Sequence, residues 1–162
     1  MKKYIFSIKW LEGQNMKADR NTESEIMGVL NKYAKAYADK DIETMMDLFA
    51  NDPDFVAIGT GRDEWIQGHN QLKTGFLRDF SQADNIEIGF EKVTISNAGN
   101  VSWVSGKMTM NAEVEGEEVI LCGRLSLVLE KRENIWIFTH IHFSLPAIEQ
   151  KKGYSYPHNL LI

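Results

Sequence analysis

His140 and His142 stand two residues apart in the run Trp136-Ile137-Phe138-Thr139-His140-Ile141-His142-Phe143-Ser144. In an extended strand that spacing puts both imidazoles on one face, where two ring nitrogens can share a cation. A metal site needs further ligands, and Asp63, Glu64 and His69 are too scattered along the chain to complete one. We therefore assign no metal, and read the face as semi-polar sheet surface on which both histidines neighbour Arg124, Ser126 and Trp136. Other reactive residue types carry less. Ser102, Ser105, Ser126 and Ser144 have no nucleophile-elbow context. Gly59-Thr60-Gly61 is half of a phosphate-binding loop, but no helix start follows at once, so it reads as a plain loop. Cys122 reads as a packed thiol.

The chain that must position these residues has 162 residues, with 18 Lys plus Arg against 23 Asp plus Glu and a net charge of −5. An acidic balance argues against a nucleic-acid partner, which calls for a basic face. A single cysteine excludes an internal disulfide and a cysteine-based zinc site, and predicts a reducing, cytoplasmic location. No apolar run approaches the ~20 residues of a membrane span, so no membrane partner is expected. No motif names a cofactor, and none is expected. A soluble single domain remains.

Regular structure is predicted from Thr22 onward. Thr22-x-x-Glu25 has the form of a capping box. Ile26, Val29, Leu30, Tyr33, Ala34 and Tyr37 then recur at helical spacing. A short second helix follows, with Ile42, Met45, Met46 and Phe49 inward. Phe55-Val56-Ala57-Ile58 reads as a buried strand, Gly59 to Gly68 as a loop carrying Trp65, and His69 to Phe80 as a third helix with Leu72, Phe76, Leu77 and Phe80 on one face. Four long strands come next. Ile86, Ile88 and Phe90 alternate on one parity and Val93 and Ile95 on the other, which predicts a β-bulge near Glu91-Lys92. Helices first and an antiparallel meander second give an α+β fold with a strongly bent sheet.

Residues 1–20 fit a leader or N-terminal extension. The codons of Glu12-Gly13 can spell a ribosome-binding sequence six nucleotides before Met16, which would make Met16 the native start. Residues 21–146 form the domain, and 147–162 an apolar C-terminal arm that packs on the domain or on a partner.

This order of elements resembles the NTF2-like superfamily, whose members are cone-shaped α+β barrels with three N-terminal helices packed on a bent, mainly antiparallel sheet. Tyr33-Ala34-Lys35-Ala36-Tyr37-Ala38-Asp39-Lys40-Asp41-Ile42-Glu43 through Asp52 resembles its first two helices, and Trp65-Ile66-Gln67-Gly68 its segment before the third. Gly123 to Leu129 and Trp136 to Pro146 are similar to the SnoaL-like branch. More distantly the chain resembles ketosteroid isomerase, and that resemblance implies an oxyanion tyrosine at Tyr33. The base of that family falls at Ala57 and its second acid near Ser126, so the family's proton transfer does not carry over. The last strand is also similar to the association domain of calmodulin-dependent protein kinase II. An arginine follows the second histidine there; Phe143 stands here, which implies an apolar pocket.

Strand parity divides the remaining residues. Val119, Leu121, Leu125, Leu127 and Leu129 are apolar, as are Ile135, Ile137, Ile141 and Phe143. The alternate positions are too aromatic for open solvent and too polar for a core. We expect a homodimer through a face bearing Arg124, Trp136, His140 and His142. The expected pocket is lined by Tyr33, Tyr37, Trp65, Leu72, Trp103, Ser105, Leu127 and Phe143. Three functions fit it: a binding domain for a small, largely apolar molecule; an isomerase, lyase or cyclase acting on a hydrophobic carbonyl compound; or an oligomerising partner module. The enzyme requires a base, for which Asp63, Glu64 and His69 are the candidates, with Tyr33 as donor. A carboxylate or histidine in the cavity within reach of Tyr33 favours the enzyme.

Overall fold

A computed structural model describes residues 16–156. Residues 1–15, within the expected leader or extension, and 157–162, within the expected arm, lie outside the described residues. The chain runs α1 (Arg20–Ala38), α2 (Ile42–Asp47), β1 (Val56–Ile58), β2 (Trp65–Gln67), α3 (Gly68–Gln82), β3 (Asp84–Ala98), β4 (Val101–Val114), β5 (Glu117–Arg132) and β6 (Ile135–Ser144). This is the expected α+β architecture. The strands form one curled, unclosed sheet in the order β2-β1-β6-β5-β4-β3, antiparallel throughout except where β1 runs parallel to β6.

Helix α1 starts earlier than its capping-box reading. Asp19 is the N-cap, and its carboxylate accepts from the Thr22 amide at 2.8 Å. Glu25 is therefore not a cap residue. Its Oε2 accepts from Lys131 Nζ and from Trp136 Nε1, both at 2.7 Å, which ties α1 to the sheet. Those bonds hold the Glu25 carboxyl below its ordinary range. The apolar stripe does its predicted work: Ile26, Leu30, Tyr33 and Tyr37 are buried against the concave side of the sheet. Asp41 caps α2 through the Thr44 amide at 3.0 Å.

The segment read as one loop contains a strand. The Gly59 amide donates to the Glu64 carbonyl at 2.9 Å, and Trp65-Ile66-Gln67 then pairs with β1 as a short hairpin. In α3, Leu72, Phe76 and Phe80 are buried as expected, but Leu77 is 48% exposed. The inward position one turn after Phe76 is taken by Asp79, three residues on.

Besides an irregularity at the start of β3, where Asn85 and Ile86 stand opposite Ala112 alone, two extra residues shape the sheet. In β3, Lys92 and Val93 stand opposite Gly106 alone, at the expected bulge, and Lys92 adopts a φ of 50°. In β6, Val128 pairs with His140 and Leu129 with Phe138, leaving Thr139 unpaired. This second bulge reverses parity within the strand. Trp136 and Phe138 point to the core before it, and Ile141 and Phe143 after it. Among the described residues, no helix is long and apolar enough to cross a membrane.

Candidate functional site

The concave side of the sheet and the three helices enclose two regions. On one side of Tyr33 the interior is filled. Phe49, Phe138 and Tyr33 meet edge to face or tilted, with ring centroids 5.0–6.2 Å apart. Farther along, a cavity of about 280 Å3 opens between α1, α3 and the sheet. Its wall is mostly aliphatic: Met108, Met110, Ala112 and Val114 from β4, Val119 and Leu121 from β5, and Ile141 and Phe143 from β6. The even positions of β4 point inward, which is why they supply this wall.

Of the residues expected to line the pocket, Tyr33, Tyr37, Leu72 and Phe143 do. The other four do not. Trp103 and Ser105 occupy odd positions of β4 and lie on the convex face, with Trp103 37% exposed. Leu127 points inward but is packed into the filled region, 2% exposed. Trp65 sits on the edge strand, 66% exposed, beside a shallow groove with Asn70, Gln71 and Thr74. The expected interface set also divides. Arg124, His140 and His142 lie on the convex face, where the Arg124 guanidinium donates to the Leu145 carbonyl at 2.8 Å. Trp136 lies on the opposite face, 5% exposed and bonded to Glu25, because Thr139 shifts the strand's phase. His140 Nδ1 donates to the Val56 carbonyl at 2.9 Å, so one nitrogen of the histidine pair is committed to backbone. Among the described residues, no three His, Cys, Asp or Glu side chains are grouped to hold a metal ion.

Of the three expected base candidates, Glu64 alone lines the cavity. Asp63 is 79% exposed and pairs with Arg78. His69 Nε2 donates to the Met46 carbonyl at 3.1 Å and is not in the cavity wall. Glu64 does line the cavity, but Arg78 Nη2 holds its Oε1 at 2.8 Å and the Gly61 amide its Oε2 at 2.7 Å. The residue that sequence reasoning missed is Asp79. The Tyr37 hydroxyl donates to Asp79 Oδ2 at 2.8 Å, and both residues line the cavity. Its signal was present: Asp79 is three residues after Phe76 and seven after Leu72, so a charged residue interrupts the apolar stripe of α3.

Electrostatics set this carboxyl apart. Burial raises the Asp79 pKa above the ordinary 3.8, and the charge of Glu64 adds to the rise. The bond from Tyr37 and the nearby Arg78 pull the other way without cancelling it. Burial also raises both tyrosines, with the Asp79 charge adding to each. Tyr33 is 5% exposed, and among the described residues its hydroxyl has no protein hydrogen-bond partner. The cavity thus holds a partly buried carboxyl and an O–H free to donate. The family positions of ketosteroid isomerase supply the tyrosine of this pair, Tyr33, but not its carboxyl. Ala57 is apolar wall, and Ser126 faces the convex side.

Comparison with known proteins places this geometry. No curated protein matches the chain. Among solved structures, an NTF2-like superfamily protein from Salmonella enterica serovar Typhimurium is 21% identical, with a TM-score of 0.75 over 86% of this chain and 100% of that one. A candidate scytalone dehydratase from Novosphingobium aromaticivorans is 13% identical, with a TM-score of 0.71 over 78% of this chain and 85% of that one. A candidate calcium/calmodulin-dependent protein kinase II association domain from Xanthomonas campestris is 20% identical, with a TM-score of 0.69 over 80% and 94%. At such identities the likeness is one of fold, the NTF2-like fold. The profile of the SnoaL-like domain matches residues 26–148, from the first buried turn of α1 to just past β6, and the chain belongs to the SnoaL-like domain family.

Proposed function

We propose that the chain binds a small, largely apolar molecule in the cavity and moves a proton on it, in a reaction of the isomerase, lyase or cyclase type. The observation that carries this reading is the Tyr37–Asp79 pair, 2.8 Å apart at the polar end of a mostly apolar wall. A carboxyl held in a cavity and hydrogen-bonded to a tyrosine hydroxyl, with its pKa raised by burial, is the kind of group that serves as general acid or base. Tyr33 supplies a donor for a carbonyl or hydroxyl oxygen on the bound molecule. Fold neighbours named as candidate dehydratases, scytalone dehydratase among them, belong to the lyase class, which supports the reading by analogy alone. The single cysteine and the acidic charge fit a cytoplasmic protein.

Native mass spectrometry after exposure to a pool of hydrophobic metabolites is expected to show one small-molecule adduct. The released molecule should differ from the one supplied by rearrangement or loss of water, or should carry deuterium after incubation in D2O. No adduct overturns binding. An adduct recovered unchanged and unlabelled overturns the proton transfer and leaves a binding protein.

The convex face supports a second property, association into a homodimer. Trp103 and Ile120, 37% and 56% exposed, share it with Arg124, His140 and His142. Light scattering at micromolar concentration is expected to give twice the chain mass, and Trp103→Lys to weaken the dimer about tenfold or more. A monomeric parent protein overturns this property without touching the cavity.

A further inference from the structure

We propose that the cavity selects an uncharged ligand bearing a hydroxyl group and excludes carboxylates and other anions. The inference rests on the reading of the cavity as a ligand site and names the head group that site takes. Two carboxylates of the cavity wall, Glu64 and Asp79, and a third outside it, the 79% exposed Asp63, surround one cation, Arg78. All three guanidinium nitrogens already face a carboxylate: Nη1 meets Asp63 at 3.1 Å, Nη2 meets Glu64 at 2.8 Å, and Nε lies 3.7 Å from Asp79. An entering anion would have to displace one of these partners in a partly desolvated setting. The wall groups Glu64, Arg78 and Asp79 carry no net positive charge in either protonation state of Asp79, so nothing there offsets an anion's loss of hydration.

The available hydrogen-bonding groups define the rest. The one hydroxyl proton of Tyr37 is given to Asp79, so its oxygen can only accept. Glu64 and ionised Asp79 also accept. Tyr33 is the complementary group: buried, in the wall, and with its hydroxyl free to donate. A ligand hydroxyl satisfies both sets, giving its proton to the acidic side and accepting from Tyr33. With Asp79 ionised, a carbonyl satisfies only Tyr33, and an ammonium only the acids. Leaving buried groups unpaired is the costly alternative, which makes such a site discriminating.

Three bicyclic probes of one shape test this: 2-naphthol, naphthalene and 2-naphthoate, titrated into the full chain by calorimetry at pH 7. The naphthol is expected to bind at least tenfold tighter than either of the others. In Tyr33→Phe, a substitution that keeps the ring packing, the naphthol-to-naphthalene ratio should fall toward one. Naphthoate binding as tightly as naphthol overturns the exclusion of anions. Naphthol binding no tighter than naphthalene overturns the hydroxyl preference. Failure of all three probes to bind overturns the cavity as a ligand site and this proposal with it. The expected selectivity without any proton transfer overturns only the catalytic part of the functional reading.

Discussion

Asp79→Asn should fold as the parent does, match or exceed its stability at pH 8, and lower turnover of the cavity's substrate by about 10²–10⁴-fold, the usual worth of a positioned acid or base. The two halves of the result have one cause. Burial raises the Asp79 pKa in the folded chain above the ordinary 3.8. Below the ordinary value both folded and unfolded chains hold the proton, and the residue costs nothing. As pH rises from the ordinary value to the raised one, the unfolded chain releases its proton first, and stability is lost across that window. Asparagine cannot ionise, so it escapes this loss while still accepting from the Tyr37 hydroxyl. Thermal melts of both proteins from pH 3 to pH 8 check the first half, and turnover with the substrate recovered from the cavity checks the second. A variant that is less stable at pH 8 and turns over normally would make Asp79 a structural residue.

Phe138→Ala should destabilise the fold by about 3–5 kcal/mol, the range for removing a large buried aromatic. Phe138 is 0% exposed and meets the rings of Phe49 and Tyr33 at 5.0 and 5.8 Å. Its backbone also joins the loop after α2 to the sheet, through Ala50 and Leu48 at 2.8 Å each. A loss of that size is a large share of the about 5–15 kcal/mol that holds a domain together. Ile135→Ala, three residues earlier on the same strand and 64% exposed, should change stability by no more than about 0.5 kcal/mol. Urea denaturation of the two variants reads the difference. Unbroken alternation along β6 predicts the reverse order, so the pair also tests the bulge at Thr139.

Much of the fold is legible in the chain because its signals are redundant. Ile26, Leu30, Tyr33 and Tyr37 can only be one helix face, and the parity change between Phe90 and Val93 requires an extra residue where the bulge is found. What escaped reading has no such redundancy. Along β6 both parities are apolar, Ile135 and Ile137 on one and Trp136 and Phe138 on the other, so the sequence carries no mark of the phase change at Thr139. The misplacement of Trp136 follows from that alone. Trp103 and Trp65 were assigned to the pocket for their size, but aromatic size does not fix the face of a strand; hydrogen-bond register does. The polar heart of the site was missed because candidates were sought near the pocket mouth in sequence. Asp79 enters it from helical geometry, as the one charge on an apolar stripe.

The parallel pairing of β1 with β6 has a consequence for how the protein is made. Val56 pairs with His140, a partner 84 residues later in the chain. At ribosomal rates of about 5–20 residues per second, β1 waits roughly 4–17 s for the strand that will bury it. Until then the β1–β2 hairpin has only its own three pairs, too few to stand alone in water, and Phe49 and Phe55 lack the strand that covers them. Folding of the first half is therefore timed by the synthesis of the last strand. The nascent chain carries an exposed aromatic surface for most of its translation, and that interval is when a chaperone would be needed.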